Sequence, residues 1–227
     1  MTAINVIKQY TSVSVITDGA GYRADGVLAF RVQKVFPLAH LNAVIATRGS
    51  PLFAPMFAYH ASIRATEFDD LKRLAPEIAK EESSKASAAQ PDTDSEFDLF
   101  IAGWSETSGP SGYVLCNHAR HGIQPWQAID LGPINLSPHS EAIKAELDLA
   151  YPKGVAADDF DPVFDGLRGL EIQRKHPVEH HWEKHGLRAH AAVGAFAQLT
   201  TVTAEAITTK ILRRWPDEIG EPLASHC

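Results

Sequence analysis

The chain is poor in cysteine: Cys116 and Cys227 are the two among 227 residues. They form no metal or redox spacing, and two thiols cannot build the disulfide framework of a small secreted fold. Both read as free thiols in a reducing cytoplasm. The C-terminal position of Cys227 also excludes a prenylation box, which needs three residues after the cysteine. No uninterrupted apolar run reaches roughly 18 residues, so no membrane span is expected. The start of the chain lacks a basic stretch followed by an apolar one, so no secretory signal is expected. Positive charge is in deficit, with 21 Lys and Arg against 28 Asp and Glu and a net charge of -7. That balance argues against a broad nucleic-acid footprint. What remains is an ordinary globular composition, 44% hydrophobic and 22% charged, on a chain that suits one domain over 1–227 with a sizeable core.

Hydrophobic patterning divides the chain into alternating strand-rich and helix-rich blocks. Ile4, Val6, Val13, Val15 and Ile16 lie in β-branched runs that read as two strands, broken after Asp18 by Gly19-Ala20-Gly21. Val27 to Val32, Val35 to Leu38 and Ala43 to Thr47 read as further strands. Ser50 is placed as an N-cap and Pro51 as the first residue of a helix carrying Leu52, Phe53, Met56, Phe57 and Ile63 at helical spacing. Phe68, Leu71, Leu74 and Ile78 continue that spacing. Ser83 to Asp94 is small, polar and Pro-containing, which predicts a loop or linker. Phe97 to Trp104 reads as a strand pairing with Tyr113 to Cys116 across the turn Ser108 to Gly112. Helices are predicted over Ser140 to Leu149 and from Pro162, with Val163, Phe164, Leu167 and Leu170 on one face. Phe196 to Val202 and Ile207 to Leu212 form a closing hairpin turned by Ala204-Glu205. This order predicts an α+β fold with two packed sheets covered by helices.

The densest chemistry lies in the first 50 residues. Thr2 is a hydroxyl nucleophile behind a removable Met1, Asp18 ends the second strand, Lys34 follows 16 residues later, and Gly49 opens a turn into a helix. A threonine hydroxyl needs a base, and a free α-amine with a pKa of about 7.7–8.0 is one that works near neutral pH. A buried lysine nearby would tune that amine, a carboxylate would hold the lysine charged, and a backbone N–H at a glycine turn would bind an oxyanion. Thr2, Lys34, Asp18 and Gly49 fill these four roles, and removal of Met1 is expected. Taken singly each has an ordinary reading: Asp18-Gly19 as a turn pair, Lys34 as a solvated strand residue, Gly49-Ser50-Pro51 as a helix start.

Taken together, the stretches TAINVIKQYTSVSVITDG, VQKVFPLAHLNAVIATRGS and FDLFIAGW resemble the proteasome β-subunit family and the related peptidase subunit of bacterial ATP-dependent proteases. The resemblance implies a four-layer αββα sandwich of the N-terminal-nucleophile hydrolase class. It implies a threonine peptidase with Thr2, Asp18, Lys34 and Gly49 as catalytic residues, acting on peptide or protein substrates without a cofactor. It further implies a ring-like homo-oligomer in the cytoplasm and an ATP-dependent unfoldase as partner. Ala20 stands where the family usually has arginine. The alternative reading is a catalytically silent, proteasome-like structural or assembly protein. For the acid that supports the nucleophile, Asp158, Asp159 and Asp161 are considered, with Asp161 read first as the cap of the helix at Pro162.

His176, His180, His181 and His185 form i,i+4 pairs that would share a helix face, with His190 beyond. The pattern is not H-E-x-x-H, so no metal is expected there, although these histidines are the nearest to a ligand set. Trp104, Trp126, Trp182 and Trp215 read as core or interface packing, and Arg213 to Asp217 as a surface or subunit contact.

Overall fold

The computed structural model describes residues 2–23, 25–50, 52–89, 96–119, 124–182 and 186–223; for Ala89 and for 179–190 no side chain is described. Two five-stranded antiparallel sheets form the body. The first has the strand order β10-β1-β2-β13-β14, with β1 Ile4–Gln9, β2 Ser12–Asp18, β10 Ile134–Asn135, β13 Phe196–Val202 and β14 Ile207–Arg214. The second runs β5-β6-β7-β8-β9, with β5 Val35–Leu38, β6 Ala43–Arg48, β7 Asp98–Ser105, β8 Gly109–Cys116 and β9 Ile129–Asp130. Two small ribbons stand apart, β3 Ala20–Tyr22 with β4 Leu28–Arg31, and β11 Val178–Trp182 with β12 Gly186–His190. The α-helices among the described residues are α1 Phe53–Arg64, α2 Phe68–Ala89, α3 Glu141–Ala150 and α4 Phe164–Lys175. None is long and apolar enough to cross a membrane.

The period-two geometry of strands explains how one run serves two cores. In β6, Ala43 and Ile45 face α1 and α2, where they meet Phe57, Phe68 and Leu71. Val44 and Ala46, on the opposite side, meet Ile4, Val6, Val13 and Val15 of the first sheet. In β1, Ile7 turns away from that inter-sheet core to pack with Ile16 and with Leu170 of α4. Gly166 lets α4 lie close against β2, because a Cβ there would lie 2.6 Å from Ile16 Cδ1. Such doubly used, close-packed strands are sensitive to volume loss; truncating Ile45 to alanine would cost about 2–5 kcal/mol.

Several expectations change. Helix α1 starts at Phe53, not at Pro51, which lies outside the described residues, and no side chain caps it. Ser50 Oγ instead accepts from the Leu52 N–H at 3.4 Å, a turn rather than a cap. The predicted loop from Ser83 is helical through Ala89, since its alanines, serines and lysine hold no strong breaker before Pro91. The turn at Ser108 to Gly112 is tighter than predicted: Gly109 already pairs with Ser105 and Pro110 with Trp104. Ser140 does cap α3, accepting from the Ile143 N–H at 3.3 Å. On α4 the predicted face is rotated, with Phe164 exposed and Leu170, Gln173 and Arg174 buried. Arg174 reaches Asp217 in a two-bond ion pair of 2.6 and 2.9 Å. The Arg213–Asp217 segment is therefore not wholly a surface contact, since Trp215 and Asp217 are buried.

Candidate functional site

Strand β1 places Thr2 two residues before Ile4, at the mouth of the inter-sheet core, half-buried. Asp18, at the end of the neighbouring β2, is fully buried and accepts four hydrogen bonds. Its Oδ1 takes Lys34 Nζ at 2.8 Å and the Ala3 N–H at 3.0 Å. Its Oδ2 takes the N–H groups of Ala20 at 2.9 Å and Gly194 at 3.2 Å. The lysine and the Thr2–Ala3 peptide thus share one carboxylate oxygen. Lys34 is 7% exposed, so it is no solvated strand residue. Burial pushes its ammonium below an ordinary lysine; Asp18 opposes that shift and Arg48 adds to it. Gly49 follows β6 with φ +114°, a conformation that favours glycine, and a Cβ would lie 2.5 Å from the Glu96 carbonyl oxygen.

The structure therefore gathers Thr2, Asp18 and Lys34 around one end of the sheets. Met1 lies outside the described residues. Asp158, one of the acids considered beside the nucleophile, instead accepts from the Tyr10 N–H at 2.7 Å, at the far end of β1. Asp161 behaves as a cap, its Oδ1 accepting from the Val163 and Phe164 N–H groups at 2.8 and 3.1 Å. The histidine pairs do not share a helix. His176 ends α4, with Nε2 2.7 Å from Glu146 Oε2, and the following run is the β11–β12 ribbon. The side chains of His180, His181 and His190 are not described, and His185 lies outside the described residues, as does Cys227.

A second cluster beside Thr2 escaped the sequence reading. Arg48, Asp98 and Cys116 are register partners across β6, β7 and β8, on the face that meets the first sheet. Arg48 donates from Nε to the Thr2 carbonyl oxygen at 3.2 Å, from Nη1 to Asp98 at 2.9 Å and from Nη2 to Ser137 Oγ at 2.7 Å. The other Asp98 oxygen accepts from the Cys116 thiol at 3.1 Å and lies 2.8 Å from His118 Nε2. Burial pushes the Asp98 carboxyl up, but His118, Arg48 and Cys116 outweigh it and hold it well below the usual carboxylate range. Burial, joined by the charge of Asp98, pushes the Cys116 thiol up, so it stays protonated. The available signal was the spacing Cys116-x-His118, which places both residues on one side of an extended chain.

The fold is of the mixed α+β class, two antiparallel sheets with helices. No protein-family model and no curated protein matches the sequence. Among solved structures, the chain is similar to Anbu, an ancestral β-subunit, from Yersinia bercovieri, at 10% identity and TM-score 0.62 over 95% of this chain and 88% of that one. It is similar also to the helical assembly of the Anbu complex from Pseudomonas aeruginosa, at 16% identity and TM-score 0.64 over 96% and 88% of the two chains. These neighbours correct the resemblance drawn from the three sequence stretches. They belong to a distinct family with a proteasome-like fold, and the packed sheets here carry few helices. The chain is therefore not assigned to the N-terminal-nucleophile proteasome β-subunit family.

Proposed function

We propose that this chain is a single-domain, self-assembling, proteasome-like subunit whose first role is architectural. The observation that carries this reading is the outer surface of α1. Its inner side buries Phe53, Ala54, Phe57 and Ala61, yet Leu52, Met56, Tyr59 and Ile63 are exposed, Tyr59 and Ile63 each by 65%. Those four positions recur at intervals of four, three and four residues, a continuous stripe along one helix face. A helix apolar on both sides has one side left for a partner, and contiguous exposed apolar surface marks interaction sites. The helical assembly formed by the Pseudomonas aeruginosa Anbu complex supports a homo-oligomer as that partner. The separation of the cores supports a four-layer arrangement, with α1 and α2 outside one sheet and α4 outside the other. Sedimentation of the full chain should give species well above 24.7 kDa, and Met56→Glu with Ile63→Glu should return a folded monomer. A wild-type monomer across micromolar concentrations would overturn the reading.

The geometry around Asp18 favours a second reading, amide-bond hydrolysis by Thr2. Here Met1 is removed, the free α-amine takes the hydroxyl proton, and Thr2 Oγ attacks a peptide carbonyl. Lys34, with its lowered proton affinity, tunes the amine, Asp18 holds Lys34, and the Gly49 N–H stabilises the oxyanion. A peptide or protein substrate and an ATP-dependent unfoldase belong to this reading alone. Thr2→Ala and Lys34→Ala should give folded, assembled and inactive protein. Full turnover by Lys34→Ala on a substrate that needs Thr2 would remove Lys34 from the mechanism, and retention of Met1 in the native protein would remove the mechanism altogether.

A further inference from the structure

We infer that Asp98, Cys116 and His118 form a binding site for one divalent zinc-type ion. Asp98 Oδ1, Cys116 Sγ and His118 Nε2 all lie within 4.8 Å of one another. One carboxylate oxygen, one thiolate sulfur and one imidazole nitrogen are a ligand set suited to zinc, and three protein ligands leave the fourth tetrahedral position open. The site is built rather than incidental. Strand register fixes Asp98 opposite Cys116, and both are buried. Arg48 holds the carboxylate oxygen that faces away from His118, at 2.9 Å, as outer partners orient metal-ligating carboxylates.

The donors stand at hydrogen-bond distances, 3.1 Å for Sγ to Oδ1 and 2.8 Å for Nε2 to Oδ1. Around a tetrahedral zinc ion the same pairs would be about 3.3–3.5 Å apart, so these two pairs need to separate by about 0.5 Å, with Cys116 Sγ and His118 Nε2 already within 4.8 Å of each other. Binding exchanges protons for the ion. The Cys116 thiol proton leaves to solvent, the proton on His118 Nε2 that faces Asp98 leaves that nitrogen so that the ring proton sits on Nδ1 and the Nε2 lone pair meets the metal, and Asp98 is already ionised. Arg48 also donates to the Thr2 carbonyl, so the ion would sit one residue removed from the N-terminal segment.

The test is metal binding by the full-length chain, stripped with a chelator and then titrated with zinc or cobalt. Wild type should retain one equivalent of zinc through gel filtration, and cobalt should produce a thiolate-to-metal charge-transfer band. Cys116→Ser should lose the band, His118→Ala should weaken binding by about tenfold or more, and Cys227→Ser should keep both stoichiometry and band. No retained zinc, cobalt binding without a thiolate band, or a band lost in Cys227→Ser but kept in Cys116→Ser would each overturn the site. If Cys116→Ser does not fold, His118→Ala and Cys227→Ser decide the matter by the same readouts.

Discussion

Asp18 ends the second strand of one sheet and Asp98 begins the central strand of the other. Each holds a cation, Asp18 the buried Lys34 at 2.8 Å and Asp98 the partly buried Arg48 at 2.9 Å. They differ in what satisfies the remaining lone pairs. Asp18 accepts from three backbone N–H groups, those of Ala3, Ala20 and Gly194. Those donors cannot leave without unfolding the backbone that carries them. Asp98 is completed by a thiol and an imidazole, whose protons can be exchanged. The first carboxylate is therefore a fixed joint that ties the N-terminal segment, Lys34 and the chain before β13. The second is a joint whose occupants can change, which is what a ligand site requires.

The largest effect is expected from breaking the fixed joint. Asp18→Ala leaves the Lys34 ammonium buried and three amides without their acceptor, a loss of roughly 3–5 kcal/mol in urea unfolding. Lys34→Ala should cost clearly less, because the carboxylate keeps its amide donors; equal losses would show that the amides contribute nothing. Next in size, zinc at a hundredfold excess over its dissociation constant should raise wild-type stability by about 2.7 kcal/mol, reversed by a chelator. Cys116→Ala should abolish that increment, whereas Lys34→Ala should retain it. Arg48→Ala removes a charged donor from Asp98 and should cost about 2 kcal/mol. The smallest change is Cys116→Ala without metal, about 1 kcal/mol by thermal unfolding, since a thiol is a weak donor. A loss as large as that of Asp18→Ala would make Cys116 part of a fixed joint too and erase the contrast.

The same contrast governs what could be read in the sequence. Strands β1, β2, β6, β13 and β14 were legible because their apolar residues alternate or run unbroken between turn signals. Asp18 and Lys34 were picked out together because both lie at the edges of such strands and a buried lysine needs a carboxylate, and the structure brings them to 2.8 Å. Asp98, Cys116 and His118 were not, since nothing local shows that Asp98 lies opposite Cys116 until β7 and β8 are in register. The rotated face of α4 has a similar cause: Arg174 is buried by an ion pair with Asp217, 43 residues away, which hydrophobic periodicity cannot register. The α1 stripe was visible as apolar spacing, but only the fold separates Phe53 and Phe57, turned inward, from Met56 and Ile63, turned out. The family resemblance rested on three short stretches, the last at residues 97–104, and the whole-chain fold redirected it to Anbu neighbours.

Self-assembly is tested most directly by electron microscopy of the purified full-length chain. Closed or helical particles should appear in which Leu52 and the α1 residues Met56, Tyr59 and Ile63 lie beneath a neighbouring subunit. Fields of monomers, or particles that leave that α1 face open to solvent, would contradict the proposed architectural role.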